Sequence, residues 1–138
     1  MTTTRPGAEE TTRSSIRWER IEVAAWLLLV TQVVHGFVPA DTEAEGYVGL
    51  VGGLVLLIAT MAAIFGLRTR RTWAPPLAGW TGLVIAVGFV AYHAVPVASP
   101  VTNPYLGEPV GVSAWISVAA AIAAGAWAAY VALWEPRS

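Results

Sequence analysis

Four long, continuously apolar stretches take up most of this chain, and they constrain its fold more than any other feature. They run over residues 21–38, 47–67, 77–95 and 110–133. A hydrocarbon core of about 30 Å needs about 20 helical residues to cross it, and a backbone in lipid must satisfy its own hydrogen bonds. The sequence therefore predicts an all-α integral membrane protein with four transmembrane helices in a bundle.

The composition agrees with a single membrane domain. Of the 138 residues, 56% are hydrophobic and 12% are charged, whereas a soluble domain carries roughly 25% charged residues. The length allows four spans with short connections, so we expect one transmembrane domain over residues 20–135. Segment 1–19 mixes arginine and glutamate with threonine and serine. That composition predicts a disordered cytoplasmic tail.

The arginines predict the orientation. Residues 1–20 hold four of them, segment 68–71 holds three and the C-terminal segment holds one, whereas connections 39–46 and 97–109 hold none. By the positive-inside rule, both termini are cytoplasmic in a multi-pass protein of the cell membrane. Trp18, Trp73 and Trp134 would then share the cytoplasmic interface, where the amphipathic indole ring prefers to lie.

A faint internal repeat relates the two halves of the chain. His35 and His93 are 58 positions apart, and the same offset relates Tyr47 to Tyr105. An even number of spans separates the two halves, so they insert in the same direction. Helices 1-2 and 3-4 would then be related by a two-fold axis along the membrane normal. Such matches also arise by chance in apolar sequence, so duplication and coincidence are both open.

Small residues at every fourth position predict where the fourth helix packs. This ridge comprises Ser113, Ser117, Ala121 and Gly125. A face with so little side-chain volume lets a neighbouring backbone approach closely. The ridge fits a contact within one monomer or a contact with a partner chain. Trp115, Ile122 and Trp127 lie off the ridge, and we expect them to face lipid or another subunit.

Polar side chains within the apolar stretches mark a candidate ligand site. Polar groups inside a membrane are costly and usually turn inward. Thr31 and Gln32 precede His35 by about one helical turn and share its face. The candidate ligand-binding residues are Thr31, Gln32, His35, Tyr47, Tyr92, His93 and Tyr105. If the halves pack about a common axis, we expect the two imidazoles within about 12 Å of each other.

Three interpretations of the two histidines are open. Each imidazole caps a helix end or binds a loop carbonyl or water; or the pair ligates haem iron or a metal ion; or it forms a quinone, lipid or proton-linked site. The chain has no cysteine, which excludes thiolate ligands. Carboxylates on the same side of the membrane as the histidines would either add oxygen ligands to such a site or remain solvated loop charges. They are Asp41, Glu43, Glu45 and Glu108.

The remaining patterns narrow the class of function. A net charge of −1 argues against a nucleic-acid partner, and we find no catalytic triad or phosphate-binding glycine loop. The sequence favours a non-enzymatic accessory or anchor subunit of a larger membrane complex, in contact with lipid and with other subunits or copies of itself. The alternatives are a homo-oligomeric small transporter or channel, and a haem- or quinone-linked membrane redox protein.

Overall fold

The structure is a computed structural model, and it describes residues 6–38, 47–94, 105–106 and 109–135. Its four helices are α1 (Pro6–Phe37), α2 (Tyr47–Arg68), α3 (Ala74–Phe89) and α4 (Val112–Ala129). α3 and α4 each continue into one π-helical turn, Val90–Ala94 and Tyr130–Trp134 respectively. The described chain is therefore all-helical, as the sequence predicts.

Each of the four helices is long and apolar enough to cross a membrane. The candidate spans are Ser15–Phe37, Gly49–Arg68, Ala74–Ala94 and Val112–Trp134, of 23, 20, 21 and 23 residues. At a rise of about 1.5 Å per residue, each reaches about 30 Å or more, which matches the hydrocarbon core. These spans support a multi-pass membrane protein surrounded by lipid.

A tight turn joins α2 to α3 and makes them neighbours. Arg70 has a positive φ of 55°, which is the left-handed conformation that commonly ends a helix. The backbone N–H of Arg71 donates to the carbonyl of Gly66 at 2.8 Å, and that of Arg70 to the carbonyl of Leu67 at 3.1 Å. This pair of bonds is the Schellman pattern, which satisfies the last carbonyls of α2. Prolines at the first positions of α3 then favour a new helix start.

The helices pack in a closed cycle. α2 lies between α1 and α3, α4 packs against α3 and α1, and α1 also touches α3. The most extensive of these contacts joins α3 to α4. Lipid-facing surface cannot drive such packing by hydrophobicity alone, so close backbone approach has to contribute.

Two glycines allow α3 and α4 to approach closely. A Cβ built on Gly125 would lie 2.6 Å from the carbonyl oxygen of Gly82 and 3.0 Å from the nitrogen of Ala86. A Cβ on Gly82 would lie 2.6 Å from the carbonyl oxygen of Gly125 and 2.9 Å from the Cβ of Ala128. Each glycine therefore makes room for the other helix's backbone, and neither position has space for a side chain.

The predicted ridge of α4 takes part in this packing over most of its length. Ser117, Ala121 and Gly125 are buried, whereas Ser113, in the first turn of α4, is exposed. The buried ridge therefore begins one turn later than the spacing predicts.

The expectation that three large residues of α4 face away from the protein is wrong. Trp115 and Ile122 are half-buried and pack beside Tyr105 and Val118. Trp127 is also half-buried and packs against the main apolar core. The cause for Trp115 is that Tyr105, between α3 and α4, covers its ring at a centroid distance of 5.5 Å.

The arginines gather at one end of the molecule, which we call the arginine end. Its described members are Arg17, Arg20, Arg68, Arg70 and Arg71. Arg20 forms an ion pair with Glu135, and Arg68 pairs with Glu22 at 3.1 Å. These contacts bring the first part of α1, the end of α2 and the end of α4 together.

α1 includes part of the segment that the sequence assigns to a tail. The helix begins at Pro6 rather than near residue 20. Within this part of the helix, Nη2 of Arg17 donates a hydrogen bond of 3.1 Å to the carbonyl oxygen of Ala132. This bond and the Arg20–Glu135 pair attach the first part of α1 to the end of α4. Each contact joins residues 115 positions apart, and composition cannot reveal such contacts.

Candidate functional site

The two histidines lie side by side at the end of the molecule opposite the arginines. His35 is in the last turn of α1, and His93 is in the π turn that follows α3. Their ring centroids are 5.3 Å apart, with an interplanar angle of 72°. The separation is well inside the 12 Å expected from the repeat, and the two rings meet edge to face.

The π turn determines which side chains of α3 face inward. A π turn holds one more residue than an α turn, so it changes the faces on which the following side chains lie. Within Val90–Ala94, His93 is 4% exposed, whereas Val90 and Ala91 are exposed. Single π turns of this kind occur frequently at functional sites. In this chain the π turn buries an imidazole.

Aromatic rings surround the histidine pair. The ring centroid of Phe89 is 4.8 Å from that of His35 and 5.6 Å from that of His93. Tyr92 and Tyr105 lie 4.9 Å and 4.3 Å from His93. We call the group the histidine cluster; its members are His35, Phe89, Tyr92, His93, Tyr105 and Trp115.

The backbone holds Tyr105 against His93. The N–H of Tyr105 donates to the carbonyl oxygen of His93 at 2.8 Å, and the tyrosine is only 3% exposed. Carbonyls at a helix end lack partners within the helix, and Tyr105 satisfies this one. Tyr105 therefore lies against the end of α3 and closes the cluster on one side.

Ser117 fixes the orientation of the His35 ring. The hydroxyl of Ser117 donates to the carbonyl of Ala114 at 2.7 Å, and its oxygen lies 3.0 Å from Nδ1 of His35. A hydroxyl has one hydrogen, so when that hydrogen is used on Ala114 the oxygen must accept from His35. The arrangement therefore assigns the neutral His35 ring a proton on Nδ1. In a metal site, the same tautomer directs the Nε2 lone pair to the ion.

The predicted polar face of α1 divides between two neighbours. His35 reaches α4 through Ser117, but Gln32 donates through Nε2 to the hydroxyl oxygen of Thr60 on α2 at 2.9 Å. The hydroxyl of Thr31 donates to the carbonyl of Leu28 in its own helix at 3.0 Å. Gln32 and Thr31 thus satisfy their polar groups away from the imidazoles. Gln32 contributes to the contact of α1 with α2.

The structure brings two of the three predicted tyrosines to the site. Tyr92 and Tyr105 belong to the histidine cluster. A Cβ on Gly49 would lie 2.5 Å from the hydroxyl oxygen of Tyr92, so Tyr92 reaches the first turns of α2. Tyr47 is the first residue of α2, but its side chain is outside the described part of the chain. The four loop carboxylates also lie outside the described residues.

The geometry discriminates between the two cofactors considered. Two axial imidazoles bind opposite faces of a haem, so the macrocycle lies between them. The rings of His35 and His93 are in edge-to-face contact, with Phe89 against both, and no flat macrocycle fits between them.

A single metal ion fits better. Zinc–nitrogen bonds of about 2.0–2.1 Å place two imidazole centroids about 5 Å apart on one tetrahedral ion. The observed separation is 5.3 Å. Among the described residues, no group of three or more His, Cys, Asp or Glu surrounds such an ion. The two imidazoles are fewer than the three or four protein ligands that a zinc site normally has.

Sequence reasoning placed the two histidines together but missed some of their partners. Phe89 lies one helical turn before His93, so helical spacing alone indicates that the two side chains share a face. Ser117 is 82 positions from His35, and no pattern in a single sequence links them. Comparison with protein-family models, curated proteins and solved structures finds no match to the chain.

Proposed function

We propose that this chain is a non-catalytic subunit of a larger complex in the cell membrane, with a ligand site at the histidine cluster. Both termini lie in the cytoplasm in this proposal, so the histidine cluster lies in the outer leaflet. The observation that carries it is the contact between the His35 and His93 rings, with His93 only 4% exposed. Ionisable groups in a membrane span are expensive and commonly mark function.

The chemistry of the cluster supports a small ligand that imidazole nitrogen recognises. Two adjacent imidazoles supply lone pairs to one transition-metal ion. The tyrosines flank His93 with flat rings and hydroxyl groups, so the same cluster also suits a quinone headgroup. The ring contacts described above argue against haem between the two histidines, and we rank an ion first.

A spectroscopic and elemental analysis of the purified protein tests the ligand. We expect the protein, purified without added metal, to carry about one ion per chain, and the variant His93→Phe to lose it. Phenylalanine keeps a flat ring but has no nitrogen. Trp80→Phe is the control, because Trp80 is an exposed aromatic outside the cluster.

The outcomes separate the remaining ligands. An extractable quinone that His93→Phe abolishes would replace the ion but keep the site. A Soret band would favour the redox interpretation and contradict the fit to an ion. Equal ligand content, or none, in the wild type and in His93→Phe would end the ligand proposal.

Exposed glycines support the second part of the proposal, which is association with other chains. Gly53 on α2 and Gly88 on α3 are exposed, and a Cβ on either would meet no atom within 4 Å. They therefore serve no packing role within the described chain, although glycine costs a helix about 1 kcal/mol relative to alanine. In membranes, small residues on a helix surface let another helix approach closely.

Assembly is tested by replacing one of these glycines. We expect Gly53→Leu to abolish co-purification of other membrane chains while thermal stability of the chain itself is unchanged. Ala123→Leu, which adds similar bulk on an exposed part of α4, is the control. A complex that contains only copies of this chain would favour the transporter or channel alternative, and a monomer in a mild detergent would contradict both.

A further inference from the structure

A cleft lies at the arginine end, far from the histidine cluster. It has a volume of about 300 Å³, which is room for roughly ten water molecules at about 30 Å³ each. α1, the connection between α2 and α3, the start of α3 and the end of α4 form its walls. The lining residues are Arg17, Trp18, Thr72, Pro75, Pro76, Ala132 and Leu133.

Arg17 is held in place at the wall of the cleft. Its Nη2 donates to the carbonyl oxygen of Ala132 at 3.1 Å. Ala132 is in the π turn at the end of α4, where carbonyls lack helical partners. The Nε of Arg17 is buried and has no hydrogen-bond partner among the described residues. The Oε2 of Glu135, three residues after Ala132, is likewise buried without a hydrogen-bond partner among the described residues.

The charges around the cleft favour an anion. The two nearby carboxylates with described partners, Glu22 and Glu135, are paired with Arg68 and Arg20, and Glu19 is exposed. Arg70 stacks over the ring of Trp18 at 5.3 Å. Five described arginines against these three carboxylates leave an excess of two positive charges at this end.

We propose that this cleft binds a phosphate group through Arg17. Guanidinium groups form charge-assisted hydrogen bonds to phosphate oxygens, and the Arg17 side chain lines the cleft. The hydroxyl of Thr72 is a second donor on the cleft wall. The cleft is at the end of the membrane-spanning helices, beside Trp18, where phospholipid headgroups lie. The phosphate belongs to an anionic lipid headgroup or is free phosphate. This site shares no residue with the histidine cluster.

Lipid retention measured by native mass spectrometry tests the site. The protein is equilibrated in detergent with equal amounts of phosphatidylglycerol and phosphatidylcholine, and separately with inorganic phosphate. We expect one phosphatidylglycerol to be retained in preference to phosphatidylcholine. Arg17→Gln should weaken its binding roughly tenfold to a hundredfold, the effect of losing a hydrogen bond to a charged group. Arg71→Gln removes the same charge from an exposed position outside the cleft and should have little effect.

A second variant keeps Arg17 and its bond to Ala132. Thr72→Asp places a carboxylate beside the phosphate and should reduce binding, whereas the neutral Thr72→Asn should retain it. Binding of inorganic phosphate as tight as that of the lipid would identify free phosphate as the ligand of the same site. Equal retention of both lipids with no phosphate binding would overturn the proposal. Equal losses in Arg17→Gln and Arg71→Gln, or no loss in Arg17→Gln and Thr72→Asp, would also overturn it.

Discussion

Replacing Gly82 or Gly125 by alanine should destabilise the protein, although alanine is the better helix former. In each case the new Cβ would lie 2.6 Å from a carbonyl oxygen of the facing helix, whereas carbon–oxygen contacts between helices are about 3.3–3.6 Å. α3 and α4 must therefore separate by up to about 1 Å. Overpacking of this kind costs about 1–3 kcal/mol, and the higher helix propensity of alanine returns up to about 1 kcal/mol.

The net expectation for either single variant is a loss of about 1–2 kcal/mol in the free energy of unfolding. Reversible unfolding in mixed micelles, followed by tryptophan fluorescence, measures it. Gly88→Ala is the matched control, because Gly88 is on the same helix as Gly82 and its Cβ would meet nothing within 4 Å. We expect Gly88→Ala to be neutral or slightly stabilising.

The double variant provides a further check on the same contact. Once α3 and α4 have separated to accommodate one Cβ, the second Cβ meets less resistance. The loss for Gly82→Ala with Gly125→Ala should therefore be smaller than the sum of the two single losses. Equal shifts in Gly82→Ala and Gly88→Ala, or a strictly additive double variant, would refute the reasoning.

Three other predictions follow from individual contacts. A double-mutant cycle between Gln32→Leu and Thr60→Val should give a coupling of about 0.5–2 kcal/mol, the range for hydrogen bonds between membrane helices; a coupling near zero would remove the α1–α2 bond. Nitrogen chemical shifts of neutral His35 should report a proton on Nδ1 and should change in Ser117→Ala; a proton on Nε2 in the wild type would contradict the assigned donor. A reporter active only outside the cytoplasm and fused to the C-terminus should be silent, because the arginine asymmetry predicts that this end is inside; strong activity would reverse the proposed topology.

The sequence predicted the helices well because their signal is local. Continuous apolar stretches and the flanking prolines and arginines placed most helix ends within a few residues of those observed. The repeat offset also predicted that His35 and His93 meet. That prediction does not require a genuine repeat, because both histidines end apolar stretches that would leave the membrane on the same side.

What the sequence could not predict depends on contacts between distant residues. Gln32 was grouped with His35 because the two share a helical face. In the structure Gln32 instead donates a hydrogen bond to Thr60 on α2, away from His35. The first part of α1 contacts the end of α4 through Arg17 and Arg20, whose partners are 115 positions away. Neither π turn has a sequence signal that we recognise, and both change which side chains are buried.

The two candidate sites have a common structural basis in α3 and α4. The glycine contact holds these two helices together in their middle, so their backbones have little freedom there. Each then ends in a π turn, at opposite ends of the molecule. The π turn after α3 buries His93 and supplies the carbonyl that binds Tyr105. The π turn after α4 supplies the carbonyl that holds Arg17.

This arrangement implies that the two sites depend on the same packing. Each π turn continues directly from its helix, so the positions of its residues rely on the helix that precedes them. A change that separates α3 from α4 should therefore disturb both sites, whereas a change at either end should disturb one. Gly125→Ala is thus expected to weaken the histidine cluster and the phosphate cleft together, while His93→Phe and Arg17→Gln each affect only their own site. Loss of phosphatidylglycerol binding in His93→Phe would contradict this separation.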